Sequence, residues 1–98
     1  MMEYFVECIT FSCHTPIGES LRAFFDGVTP EEAAQAAYDR WQTHPYGLGA
    51  VRVWTDANAF HKKMIPLIEW QFDRHGTRWV RDGKELVNTE TGERESTR

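Results

Sequence analysis

The chain has 98 residues, 41% hydrophobic and 27% charged, an ordinary globular usage that excludes a collagenous, low-complexity or wholly disordered chain. That length supports one compact domain and not two, with only about 60–65% of the unfolded surface buried on folding. The net charge of −4 is unevenly spread: residues 1–49 hold seven acids against Arg22 and Arg40, while residues 52–84 hold seven bases against Asp56, Glu69, Asp73 and Asp82. A pI near 5.5 argues against bulk binding to duplex nucleic acid.

Two cysteines, Cys8 and Cys13, exclude a disulfide scaffold. No apolar run reaches the roughly 18 residues of a membrane span, and Glu3 and Glu7 interrupt the opening segment where a secretory signal would need an apolar core. The expectation is a soluble cytoplasmic protein with no membrane association.

Tyr4 to Phe11 reads as a strand, with Tyr4, Val6, Cys8 and Thr10 on one face and Phe5, Glu7, Ile9 and Phe11 on the other. Both faces are largely apolar, which suits an interior strand. Pro16 and Gly18 make Ser12 to Glu19 a loop. Leu21 to Val28 returns as a second strand, Leu21, Ala23 and Phe25 inward and Arg22, Phe24 and Asp26 outward.

Thr29-Pro30-Glu31-Glu32 is a helix start. Thr29 and Glu32 can exchange side-chain-to-amide hydrogen bonds, and Pro30 stands where a missing N–H costs nothing. This main helix is expected over 30–43, stopped by His44-Pro45, Gly47 and Gly49. Ala33, Ala37 and Trp41 line one stripe, flanked by Ala34 and Tyr38.

Ala50 to Thr55 is a short strand with Val51 and Val53 on one face and Arg52 and Trp54 on the other. Asp56 caps a short helix over Ala57 to Ile65, which Pro66 ends. A rival reading continues this helix to Arg74, because Phe60, Met64, Ile68 and Phe72 are spaced at four. It ranks second, since Pro66 inside a helix costs about 3 kcal/mol and Trp70-Gln71-Phe72 prefers strand.

A two-residue turn at His75-Gly76 would pair Arg74 with Thr77, Asp73 with Arg78 and Phe72 with Trp79, the last two favourable cross-strand combinations. Asp82-Gly83 is a second turn signal, and Glu85 to Asn88 adds a last short strand. Beyond it no apolar residue remains, so 89–98 is expected to be a flexible polar tail on a single domain over 1–88. The class is α+β: an antiparallel-rich sheet in the order β-β-α-β-(short α)-β-β, with the main helix packed on one face.

No constellation points to catalysis. Cys8, Cys13 and His14, with His44, His61 or His75, lack metal-ligand spacing. Cys13 or Ser12 beside His14 lacks an orienting third group, Glu31 and Glu32 are accounted for by capping, and glycine-rich phosphate loops are absent. A non-enzyme without metal or cofactor is expected. Aromatics are 13% of the chain, with four tryptophans, and interface centres favour aromatic and Arg residues.

Arg52, Trp54, Trp70, Arg78, Trp79 and Arg81 are therefore the candidate contacts for a protein partner. The alternative that these tryptophans are simply core stays open. Self-association through a sheet edge is a related expectation. The competing function is a single-stranded nucleic-acid binder using 52–84. As a class, such small accessory or regulatory proteins are typical of bacteriophage and mobile-element genomes.

Overall fold

Alternation along the first strand, β1 (Met2–Thr10), puts Tyr4, Val6 and Cys8 on one face and Phe5, Glu7 and Ile9 on the other, and both sets are at least half-buried. Such a strand needs neighbours on both sides. It has them in β2 (Ser20–Gly27) and β3 (Leu48–Trp54), each antiparallel to it. The structure, a computed structural model, describes residues 2–10, 20–45 and 47–96. The expected Ser12–Glu19 loop, with Cys13 and His14, lies outside them. Among the described residues the fold is α+β and strand-rich, a seven-stranded antiparallel sheet with two helices. Among the described residues no helix is long and apolar enough to cross a membrane.

The main helix, α1 (Pro30–Trp41), begins at a complete capping box. Thr29 Oγ1 accepts the Glu32 amide at 3.3 Å, and Glu32 Oε2 accepts the amides of Thr29 and Val28 at 3.3 and 2.6 Å. Ala33, Ala34 and Ala37 are wholly buried against Val6, Cys8, Val51 and Val53, because a side chain of one carbon lets the helix lie close on the strands. Trp41 closes the far end on Phe25, ring centres 5.2 Å apart. Gly27 joins strand to helix without a Cβ, which would stand 2.9 Å from the Thr29 carbonyl oxygen and 3.0 Å from the Ala33 nitrogen.

On the opposite face of the sheet sits α2 (Ala57–His61), capped by Asp56, whose Oδ1 accepts the Ala59 amide at 2.8 Å. It is shorter than expected, because Lys63 adopts a left-handed φ of 57° and turns the chain out of the helix. The rival long helix does not form. Pro66 lies outside any helix, in a segment whose Leu67 amide bonds the Val53 carbonyl at 2.7 Å, leading into β4 (Ile68–Phe72).

The hairpin from β4 to β5 (Arg78–Asp82) corrects the expected register by one residue: Trp70 opposes Val80, Gln71 opposes Trp79 and Phe72 opposes Arg78. Asp73 is the cause. Its Oδ1 accepts the amides of His75 and Thr77 at 2.9 and 3.0 Å, and its Oδ2 accepts the Trp79 indole N–H at 3.1 Å. Those bonds close a three-residue loop, Arg74 to Gly76, in which Gly76 takes φ 79°. A one-residue slip exchanges faces, so Trp79 lies on the other face of the sheet from Trp70 and Phe72 rather than beside them. Gly76→Ala should cost roughly 1 kcal/mol from the left-handed backbone alone. Nothing lies where its Cβ would go, so the urea midpoint should fall with the m-value unchanged.

β6 (Glu85–Asn88) follows, and then β7 (Arg94–Ser96), inside the segment expected to be a flexible tail. Burial does not hold β7, which is exposed along its length; its ladder to β6 does, set up by the Asn88 turn, with Arg94 adding exposed ion pairs. Asn88 Oδ1 accepts the amides of Glu90 and Thr91 at 2.8 and 3.1 Å, and Arg94 Nη1 reaches Asp82 and Glu85 at 3.2 and 3.6 Å. The strand order is β2-β1-β3-β4-β5-β6-β7.

Candidate functional site

The α2 face carries a row of alternating charge that no single strand reveals. The registers place Arg22, Glu7, Arg52, Glu69 and Arg81 side by side across β2, β1, β3, β4 and β5. Glu7 lies 3.4 Å from Arg22 Nε and 3.7 Å from Arg52 Nη1. Glu69 lies 3.7 Å from Arg52 Nε and 2.9 Å from Arg81 Nε. Both carboxylates are buried and take further bonds, Glu7 from Ser20 Oγ at 2.8 Å and Glu69 from Gln71 Nε2 at 2.7 Å.

Burial by itself pushes the Glu69 carboxyl up. Hydrogen bonds from Arg81 and Gln71, with the charges of Arg52 and Arg81, outweigh it and hold the group below the ordinary carboxylate range. Arg81 is raised in return by its bond to Glu69.

Beside that row on the same face is an aromatic cluster. Phe5 touches Phe24 and Phe60, and Trp54 touches Phe60, with ring centres 5.0 to 5.3 Å apart. Trp54 is only 6% exposed, and its indole N–H donates to the Met64 carbonyl at 2.8 Å.

The α1 face differs between its two halves. α1 lies over β2, β1 and β3 and only grazes β4, so among the described residues no helix covers this face of β5, β6 and β7. Along this boundary runs an open cleft of about 460 Å³. Glu31, Glu32 and Gln35 of α1 form one wall, and Ile68, Trp70, Arg78 and Val80 form the floor. The Arg78 guanidinium lies 4.4 Å above the Trp70 ring, a cation–π contact that leaves Trp70 5% exposed.

Comparison with protein-family models, curated proteins and solved structures found no match to this chain.

The six candidate contacts do not come together as one surface. Trp54 and Trp70 lie inside, on opposite faces of the sheet, because each has a covering group, α2 for Trp54 and Arg78 for Trp70. As surface contacts they are corrected to core. Arg52 and Arg81 belong to the charge row on the α2 face. Trp79 is half-buried on that face with its N–H on Asp73, and Arg78 is at the cleft.

Sequence reasoning missed Glu7 and Glu69 as buried anions. Their signal was an acid inside an otherwise apolar strand, YFVECIT and IEWQF. Cys8 is buried on the α1 face, where burial, then the Glu7 charge, pushes its thiol up to about 12; this thiol stays protonated and is no nucleophile at neutral pH. Among the described residues no three His, Cys, Asp or Glu side chains stand together as metal ligands.

Proposed function

We propose that this chain is a non-enzymatic accessory protein that binds and modulates a protein partner through the cleft between α1 and β4–β5. One observation carries the reading: among the described residues half of the α1 face is left without a helix, and its edge is a concavity with a largely apolar floor and one acidic wall. An apolar side chain of the partner fits over Ile68 and Val80, with a basic group toward Glu31, whose carboxylate has no bond in the capping box. A central apolar anchor with a polar rim is the usual anatomy of such contacts.

Single-stranded nucleic acid is less well served. It needs exposed rings to stack on and free guanidinium groups, whereas Trp54 and Trp70 are buried and Arg52 and Arg81 are engaged by buried carboxylates.

A photo-crosslinking amino acid at Gln35, on the cleft wall, should capture one protein species in native-host cells, while the same group at Glu90 should not. No adduct from Gln35, or the same adducts from both positions, would overturn the cleft as the docking site. Salt-dependent binding of a labelled single-stranded oligonucleotide would favour the other reading.

A further inference from the structure

β2 is an edge strand of eight residues, and every one of them from Ser20 to Gly27 pairs with β1 without a bulge. Among the described residues no strand lies against its outer side. Edge strands are normally blunted by charged side chains (Lys above all), Pro, bulges or brevity. SLRAFFDG has neither Lys nor Pro, its two charges, Arg22 and Asp26, are of opposite sign and can pair with a second copy rather than repel it, and Phe24 is 50% exposed on the α2 face. The opposite edge shows the contrast: β7 has three residues, with Arg94 held by Asp82 and Glu85.

We infer that the outer edge of β2 pairs antiparallel with β2 of a second copy, with Phe24 on the two-fold axis, to give a fourteen-stranded continuous sheet. Residues opposite each other in such a pair must lie on the same face, so only registers that place one residue on the axis are allowed. With Phe24 there, Phe24 meets its own copy, and Arg22 faces Asp26 of the second chain on both sides of the axis. With Ala23 or Phe25 there, no charge pair forms. With Arg22 or Asp26 there, like charges meet. The strand is self-complementary in one register.

Two features of the single chain support the second copy. Asp26 has no ion-pair partner among the described residues and stands opposite another acid, Glu3, an unfavourable combination within one sheet. An arginine arriving from outside relieves it. That arginine also extends an existing pattern, since the charge row of Arg22, Glu7, Arg52, Glu69 and Arg81 would gain Asp26 of the second copy beyond Arg22.

Among the described residues, the α1 face leaves room for the pairing. α1 lies over β2, β1 and β3, so each helix centres on β1. The two β1 strands would be three strand spacings apart, roughly 14 Å, enough for helices about 10 Å across.

β2 is the first strand in the sheet order and the cleft floor is on the fourth and fifth, so this inference stands or falls separately from the cleft. Sedimentation equilibrium at micromolar concentration should give twice the 11.4 kDa mass of the chain. Phe24→Lys puts two ammonium groups on the axis, and Asp26→Arg puts arginine opposite arginine. Each should raise the dissociation constant roughly tenfold or more.

Asp26→Arg also removes the clash with Glu3, so at high dilution its melting temperature should equal or exceed that of the wild type. A wild-type chain that stays at 11.4 kDa, or a dimer that both substitutions leave intact, would overturn the pairing.

Discussion

Trp54→Ala should remove about 3–5 kcal/mol of folding stability, a large part of the roughly 5–15 kcal/mol that a domain possesses. Two losses combine. The side chain is 6% exposed and packs on Phe60, so its removal leaves a void under α2. Its indole also ties down the segment after α2 through Met64. Trp54→Phe separates the two, because it keeps most of the burial and loses the donor, at about 1 kcal/mol. Urea unfolding measures both. A change within about 0.5 kcal/mol for Trp54→Ala, as expected at an exposed contact, would refute the core placement.

Glu69→Ala should cost about 2–3 kcal/mol, below the usual range for breaking a buried pair because its partners Arg52 and Arg81 keep 32% and 27% side-chain exposure. The mechanism is repulsion plus desolvation: two guanidinium groups lose the carboxylate between them.

The same group gives a signed pH dependence. Unfolded, the Glu69 carboxyl titrates near its ordinary 4.5; folded, it titrates lower. In the interval the unfolded chain binds more protons, so the Glu69 contribution to stability is fully present above about pH 5 and is lost as pH falls through the folded value. Asp73 adds to this slope, its carboxyl held low chiefly by the Trp79 indole and also, against some desolvation, by the amides of Thr77 and His75. Glu69→Gln should flatten the acid limb of the stability curve; an unchanged slope would show that the charge row does not act on Glu69.

Features specified within about four residues were legible. The Thr29 capping box and its alanine stripe mark the start and buried face of α1. Alternation marked Val51 and Val53 apart from Arg52 and Trp54, and Asp56 marked the start of α2. The β4–β5 register was not, because two weighed cross-strand pairs were outvoted by three hydrogen bonds to one side chain, Asp73. β7 was missed for a similar reason: a polar segment can pair through its backbone once the Asn88 turn brings it beside β6, without burying anything apolar.

The candidate surface was the least legible part. Trp54 and Trp70 are chemically the residues that interfaces favour, and nothing near them in the chain says that α2 and Arg78 cover them. The cleft joins α1 to strands roughly 35 to 50 residues further on, and the charge row draws one residue from each of five strands.

Caps and periodicity act between near neighbours, so the α+β class, the starts of both helices and the side chains that share a strand face can be read along the chain. Which face each tryptophan occupies, the burial of Glu7 and Glu69 between arginines, and the half of the sheet that α1 leaves bare emerge in three dimensions alone. Those outcomes depend on strand register and on the reach of a single helix, and both are settled by contacts between residues far apart in the chain.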